Sequence, residues 1–348
     1  MLKRDELKVG YLYFYIHFIV EVVCFFYLSR VTNNSFIVWL IPFVYDGMAF
    51  VPQSIIGYLD DKYKINTGYI GVLLLFISYL IYIFLDISIY VSLIILCLGN
   101  AFLHVSGAEL TLKNSNGKLS PAAIFVSGGS FGVITGRLLA KNLIPSWIML
   151  ILIISMIPFI LLANTYNKKK SDADKFNYVN EKINPGLVII IAVFVVIVRG
   201  YMGYGIPTTW NKTTIQTILF FVTMGIGKAL GGILSDKYGI RKVAILSTLL
   251  AIPFLCFGDN IMFISLIGIM LFSMTMAITL GILVSVLKRT PGLAFGLTTI
   301  GLFLGTVPIF FIKLNMIVNI YIIVIFSIVC MLLLNYVLKK DDKNGNNI

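Results

Sequence analysis

Twelve apolar runs, separated by short polar breaks, constrain this chain more than any other feature of it. The hydrocarbon core of a bilayer asks for ~20 apolar residues per helical span. The runs cover 9–31, 36–59, 68–85, 88–112, 119–142 and 145–166, then 185–207, 213–235, 242–258, 261–287, 291–312 and 316–338. Breakers such as Asn33-Asn34-Ser35, Gly258-Asp259-Asn260 and Thr290-Pro291-Gly292 divide them. Only 12% of the 348 residues are charged, whereas a soluble domain uses ~25%. Most of the exterior must therefore face something other than water. The alternating ~10-residue strand pattern of a membrane barrel is absent. An all-α membrane protein of about twelve spans follows. The first run carries His17 and Glu21 and lacks a small-residue cleavage site, so it reads as a retained span and not a signal peptide.

The net charge of +12 is an orientation signal. With both termini in the cytoplasm, 20 of the 27 Lys and Arg fall in cytoplasmic segments, four outside and three within spans. That split follows the positive-inside rule, and one span too many or too few would destroy it. The basic residues sit in short clusters between apolar runs, so nucleic acid is excluded as a partner. The expected partners are a small-molecule substrate, H+ and the lipid bilayer, and the expected state is a monomer. Residues 167–184, with Lys168, Lys169 and Lys170, form the one long polar stretch. They divide the chain into a bundle over 1–166, a cytoplasmic linker and a second bundle over 185–348.

The halves resemble each other. Gly57-Tyr58-Leu59-Asp60-Asp61-Lys62 closes the second run and Gly232-Ile233-Leu234-Ser235-Asp236-Lys237 closes the eighth; Pro121-x-x-x-Phe125 and Pro291-x-x-x-Phe295 open the fifth and eleventh. Such six-plus-six symmetry is a transporter architecture. Residues 232–242 also resemble the signature of the major facilitator superfamily, through Gly232, Asp236, Lys237, Gly239, Arg241 and Lys242. The first copy keeps Gly57, Asp61 and Lys62, but Lys64 stands where the second Gly belongs. The resemblance implies two six-helix bundles related by a pseudo-twofold axis. It also implies that Asp61 and Asp236 latch the cytoplasmic side when that side is closed. An anion at a helix C-terminus needs a cation or a neighbouring helix N-terminus, and Arg241 and Lys242 are the candidate cations.

Charges within the membrane are costly and point to function. They are His17 and Glu21 on span 1, Asp46 on span 2, His104 and Glu109 on span 4, Arg137 on span 5, Arg199 on span 7 and Lys228 on span 8. Spans 3, 6, 9 and 12 carry none within their apolar stretches, Lys242 standing at the cytoplasmic end of span 9; the family resemblance makes these the outer helices. His17 and Glu21, four residues apart, share a helix face and can hold a proton. Glu21, Asp46 and Glu109 either neutralise Arg137, Arg199 and Lys228 as interhelical pairs, or exchange a proton while a cation holds an anionic substrate group. Gly128, Gly132 and Gly136 make a close-packing stripe. Gly200 to Pro207 marks a helix able to flex.

The reading is a secondary active transporter of a small polar organic solute, coupled to protons, in a bacterial plasma membrane. Two alternatives compete with it. A multidrug-type exporter of lipophilic cations is opposed by Arg199 and Lys228. A non-transporting receptor or assembly factor finds little loop surface for partners. No enzyme motif, nucleotide loop or cofactor signature is present. No metal is expected either, because the four cysteines lie apart and His17 and His104 have no ligand spacing.

Overall fold

The computed structural model describes residues 4–32, 39–85, 89–166, 171–312 and 315–340. The breaker at 33–35 and Lys168, Lys169 and Lys170 lie outside them. Twelve helices of spanning length follow in order: α1 (Leu7–Thr32), α2 (Leu40–Tyr63), α3 (Thr67–Phe84), α4 (Ile89–Lys113), α5 (Ser120–Lys141), α6 (Trp147–Thr165), α7 (Pro185–Gly205), α8 (Thr214–Tyr238), α9 (Ile240–Phe257), α10 (Met262–Val286), α11 (Pro291–Phe311) and α12 (Met316–Val337). Helix is dictated by the solvent. A backbone in hydrocarbon must satisfy its own N–H and C=O groups. The starts are written locally. Asn184 accepts from Gly186 N and Leu187 N ahead of Pro185, Thr213 and Gln216 form a capping box, and Pro121 and Pro291 open α5 and α11.

Two differences from the sequence reading are physical. Helices α2 and α8 run past the predicted ends at 59 and 235 to Tyr63 and Tyr238, because partners elsewhere receive their terminal Asp residues. Helices α2, α6 and α10 are each interrupted, at Val51, Met156 and Met274. Pro52 and Pro158 remove a backbone donor just after the first two breaks.

Helices α1, α3, α4 and α6 pack together with α2 and α5 in one bundle, and α7, α9, α10 and α12 with α8 and α11 in the other. The closest pair in the first bundle is α1 with α5; its counterpart in the second is α7 with α11. The bundles meet along α2 with α11 and α5 with α8. Between them, residues 171–184 strap the basic end. Tyr178 N donates to Ser285 Oγ and Tyr178 Oη to Gly117 O, and Val179 bridges to Leu338. Lys339 Nζ lies 3.0 Å from Glu181 and holds that carboxyl below its ordinary range. The Val179–Leu338 bridge is the only β pairing among the described residues.

Candidate functional site: a buried His–Glu–His cluster and two crossed latches

The α1–α5 seam creates the first site. A Cβ on Gly128, Gly132 or Gly136 would run into the carbonyls of Phe14, Phe18 and Val22 on α1, so glycine sets the helix spacing. At Gly129 the missing side chain leaves room for the His17 ring beside the carbonyl of Phe125, one turn earlier. His17 Nδ1 donates to that oxygen at 2.9 Å. His104 Nδ1 donates to Asn100 O, one turn back on α4, at 3.0 Å. A carbonyl only accepts, so both Nδ1 atoms carry protons. The two Nε2 atoms meet at 2.8 Å.

Glu21, one turn along α1 from His17, completes the cluster. Its Oε1 lies 3.4 Å from His104 Nε2 and 3.7 Å from His17 Nε2. Asn100 Nδ2 donates to Glu21 Oε1 at 3.2 Å and to Tyr45 Oη at 3.0 Å. His17, Glu21, Tyr45, Asn100 and His104 are all at most 8% exposed. Phe125 and Phe295 wall the imidazoles. Asn100, Tyr45 and Gly129 were not singled out from sequence. A polar Asn one turn from a His inside an apolar run is the signal that could have found Asn100.

The remaining intramembrane charges do not pair as the interhelical reading expected. Among the described residues none of Glu21, Asp46 and Glu109 forms an ion pair with Arg137, Arg199 or Lys228. Arg137 lies between the rings of Phe25 and Phe221, 5.2 and 5.3 Å from their centroids, where cation–π attraction replaces a counter-ion. Arg199 points into the second bundle beside Thr248, Thr275 and Ser327, with its Nε buried and without a partner among the described residues. Glu109 sits at the basic end, paired with Lys113 and 4.0 Å from Lys64 Nζ. It lines a cavity of about 310 Å3 with Asn66, Thr67, Ser106 and Asn164. Asp46 is buried with no hydrogen-bond or ion-pair partner among the described residues.

The second site is a pair of crossed latches at the basic end. Asp61, at the end of α2, accepts from Gly292 N at 3.1 Å and Leu293 N at 2.9 Å, the first amides of α11. Asp236, at the end of α8, accepts from Leu119 N at 2.9 Å and Ser120 N at 2.8 Å, and from the Ser120 hydroxyl, at the start of α5. Each carboxylate of one bundle thus caps a helix N-terminus of the other, where free amides and the helix dipole favour an anion. Gly57 and Gly232 make the approach possible, since a Cβ on either would strike Gly292 or Ala123. The candidate cations are not the partners. Arg241 binds Asn335 Oδ1 through Nε at 3.0 Å and Nη2 at 2.5 Å, and Lys242 has no carboxylate partner among the described residues. Lys62 and Lys237 lie over Tyr63 and Tyr238 in matching fashion, at 4.9 and 4.8 Å. The degraded motif position keeps a positive φ but not the same backbone: Lys64 is left-handed at φ +55 and ψ +48, whereas Gly239 has φ +94 and ψ +135.

No family model matches the chain, and no curated protein matches it by sequence. Solved structures do. The human organic anion transporter MFSD10 superposes with a TM-score of 0.63 at 12% identity, over 95% of this chain and 100% of its own. The fucose:proton symporter of E. coli gives 0.65 at 15%, over 96% and 99%. A bacterial homologue of the iron transporter ferroportin, in its outward-facing state, gives 0.59 at 13%, over 95% and 98%. The bundles, their pseudo-symmetric packing and the latches define a polytopic helical membrane protein. Its fold is that of the major facilitator superfamily.

Proposed function

We propose that this chain is a secondary active transporter that moves a small polar solute by alternating access. The observation that carries this reading is the crossed latch. Two carboxylates hold one end of the interface shut through bonds to backbone amides of the opposite bundle. Charge-assisted bonds of this kind contribute ~1.5–3 kcal/mol each, enough to bias a two-state equilibrium and weak enough to be released. The latched end is the cytoplasmic end, both termini are cytoplasmic, and the membrane is a bacterial plasma membrane. The bundles 1–166 and 185–348 move about the linker 167–184.

Proton coupling belongs to the same reading, with Asp46 as the exchanging acid. An acid without a fixed cation can lose and regain a proton without breaking a salt bridge. No enzymatic step enters. The three similar structures are named for a fucose:proton symporter, an organic anion transporter and an iron-transporter homologue, so the fold does not choose the solute.

The test is flux in proteoliposomes carrying an internal pH dye, against sugars, amino acids, carboxylates, nucleosides, lipophilic cations and divalent metal ions. The expected result is one solute class that moves protons with it. Asp46→Asn should keep solute exchange and lose proton movement. Unaltered proton movement in that variant removes Asp46 from the mechanism.

A further inference from the structure

We propose that His17 Nε2, His104 Nε2 and Glu21 Oε1 form a binding site for a divalent transition-metal ion of the late first row. The site stands on its own geometry and goes beyond the transport reading.

The chain has two histidines, 87 residues apart, and the fold brings both to one point. Each Nδ1 proton is committed to a backbone carbonyl. Both Nε2 lone pairs therefore face one another at 2.8 Å, which is repulsive unless a cation lies between them. The carboxylate adds a third donor that suits a metal. A bridging proton uses only the two nitrogens, whereas a metal ion can use all three donor atoms, which lie within 4.8 Å of one another with Glu21 Oε1 close to both nitrogens. Two nitrogens held about 2.1 Å from one ion at 90–109° stand about 3.0–3.4 Å apart. The rings need to part by only a few tenths of an ångström.

The surroundings have the form of a metal site's outer shell. Ligating histidines donate their other N–H to a carbonyl or carboxylate, which fixes the tautomer and aims the lone pair. Both do so here. Glu21 is held in turn by Asn100 Nδ2. Asn100 Oδ1 is fully buried and has no hydrogen-bond partner among the described residues; turning the amide about its last torsion would offer it as a fourth donor in exchange for the Nδ2 bond to Glu21. Two imidazoles and one carboxylate with open positions suit Fe(II), Co(II), Ni(II) or Zn(II) better than Mg or Ca. The charged groups facing the cluster from other helices are Asp46 of α2, which favours a cation, and Lys228 of α8, which opposes one.

The experiment is a Co2+ titration of the tag-free, detergent-solubilised full chain, read by the ligand-field absorption of bound Co2+ and by displacement with Zn2+. The expected result is one ion per chain. His104→Gln and Glu21→Gln should each weaken binding more than the ~10–100-fold that losing a supporting contact costs, with elution profile and helical circular dichroism unchanged. With no other histidine in the chain, any imidazole-dependent band reports this cluster. The proposal is overturned if wild type gives no band above that of the His17→Gln/His104→Gln variant, or if all variants bind alike. In the first case, nitrogen NMR of the imidazoles then identifies a shared proton as the occupant. Binding is read without flux, so failure here leaves the transport reading standing, and absence of flux leaves the site standing.

Discussion

The two bundles share a packing scheme and differ in chemistry. In the first, α1 lies on α5 through Gly128, Gly132 and Gly136; in the second, α7 lies on α11 through Gly200 and Gly305, each against a partner carbonyl. Buried inside the first are His17, Glu21, Asp46, Asn100 and His104. The second holds Arg199 and Lys228 and, within its spans, no carboxylate except the latch residue Asp236. What repeats between the halves builds the fold. What does not repeat is the set of buried polar and ionisable side chains.

The strongest way to break this comparison is at the glycine seams. Gly132→Leu would drive a side chain into Phe18 O and Glu21 Cβ. It should cost at least the ~1–3 kcal/mol of an overpacked core and abolish monodisperse elution. Gly203→Ala, with nothing within 4 Å of the added methyl, should leave thermal stability unchanged or raised, since Ala exceeds Gly in a helix by ~1 kcal/mol. Equal effects would mean that the seam does not set the spacing.

The latches sharpen the comparison at the next level. Asp236 accepts three bonds and Asp61 two. Asp236→Asn should therefore open the basic end more than Asp61→Asn, by the ~1.5–3 kcal/mol of one charge-assisted bond. Labelling of a cysteine placed at the buried Ser127 of α5 reads the first case and one at the buried Ser54 of α2 the second; equal labelling of variant and parent contradicts it. The smallest effect concerns the degenerate motif. Gly239→Ala, at φ +94 and ψ +135, should destabilise. Lys64→Gly, at φ +55 and ψ +48, should gain up to the ~1 kcal/mol that a left-handed residue costs, less its bond to Asp61 O. Chemical denaturation of both variants measures the difference.

How much could be read in advance follows from the range of the forces involved. Spans are one-dimensional objects set by solvent, and the twelve helices lie within a few residues of the apolar runs that announce them. Where α2 and α8 overrun, the cause is tertiary: Asp61 and Asp236 are tolerated because α11 and α5 present free amides to them. The aromatic seat of Arg137, between Phe25 and Phe221, depends on a helix from the other bundle and has no local signal. The meeting of His17 with His104 depends on how α1 lies against α4, a tertiary contact with no local signal. The sequence marked both histidines as costly and functional but could not bring them together.

The central claim is that the crossed latches hold one of two global states. Nitroxides at Tyr63→Cys and Tyr238→Cys, both on exposed residues at the latched end of opposite bundles, would report it by double electron–electron resonance. The parent should give one short distance. The Asp61→Asn/Asp236→Asn double variant should populate a second, longer one, in proportion to the latch energy. An unchanged distance in the double variant, with the protein folded, would contradict the account.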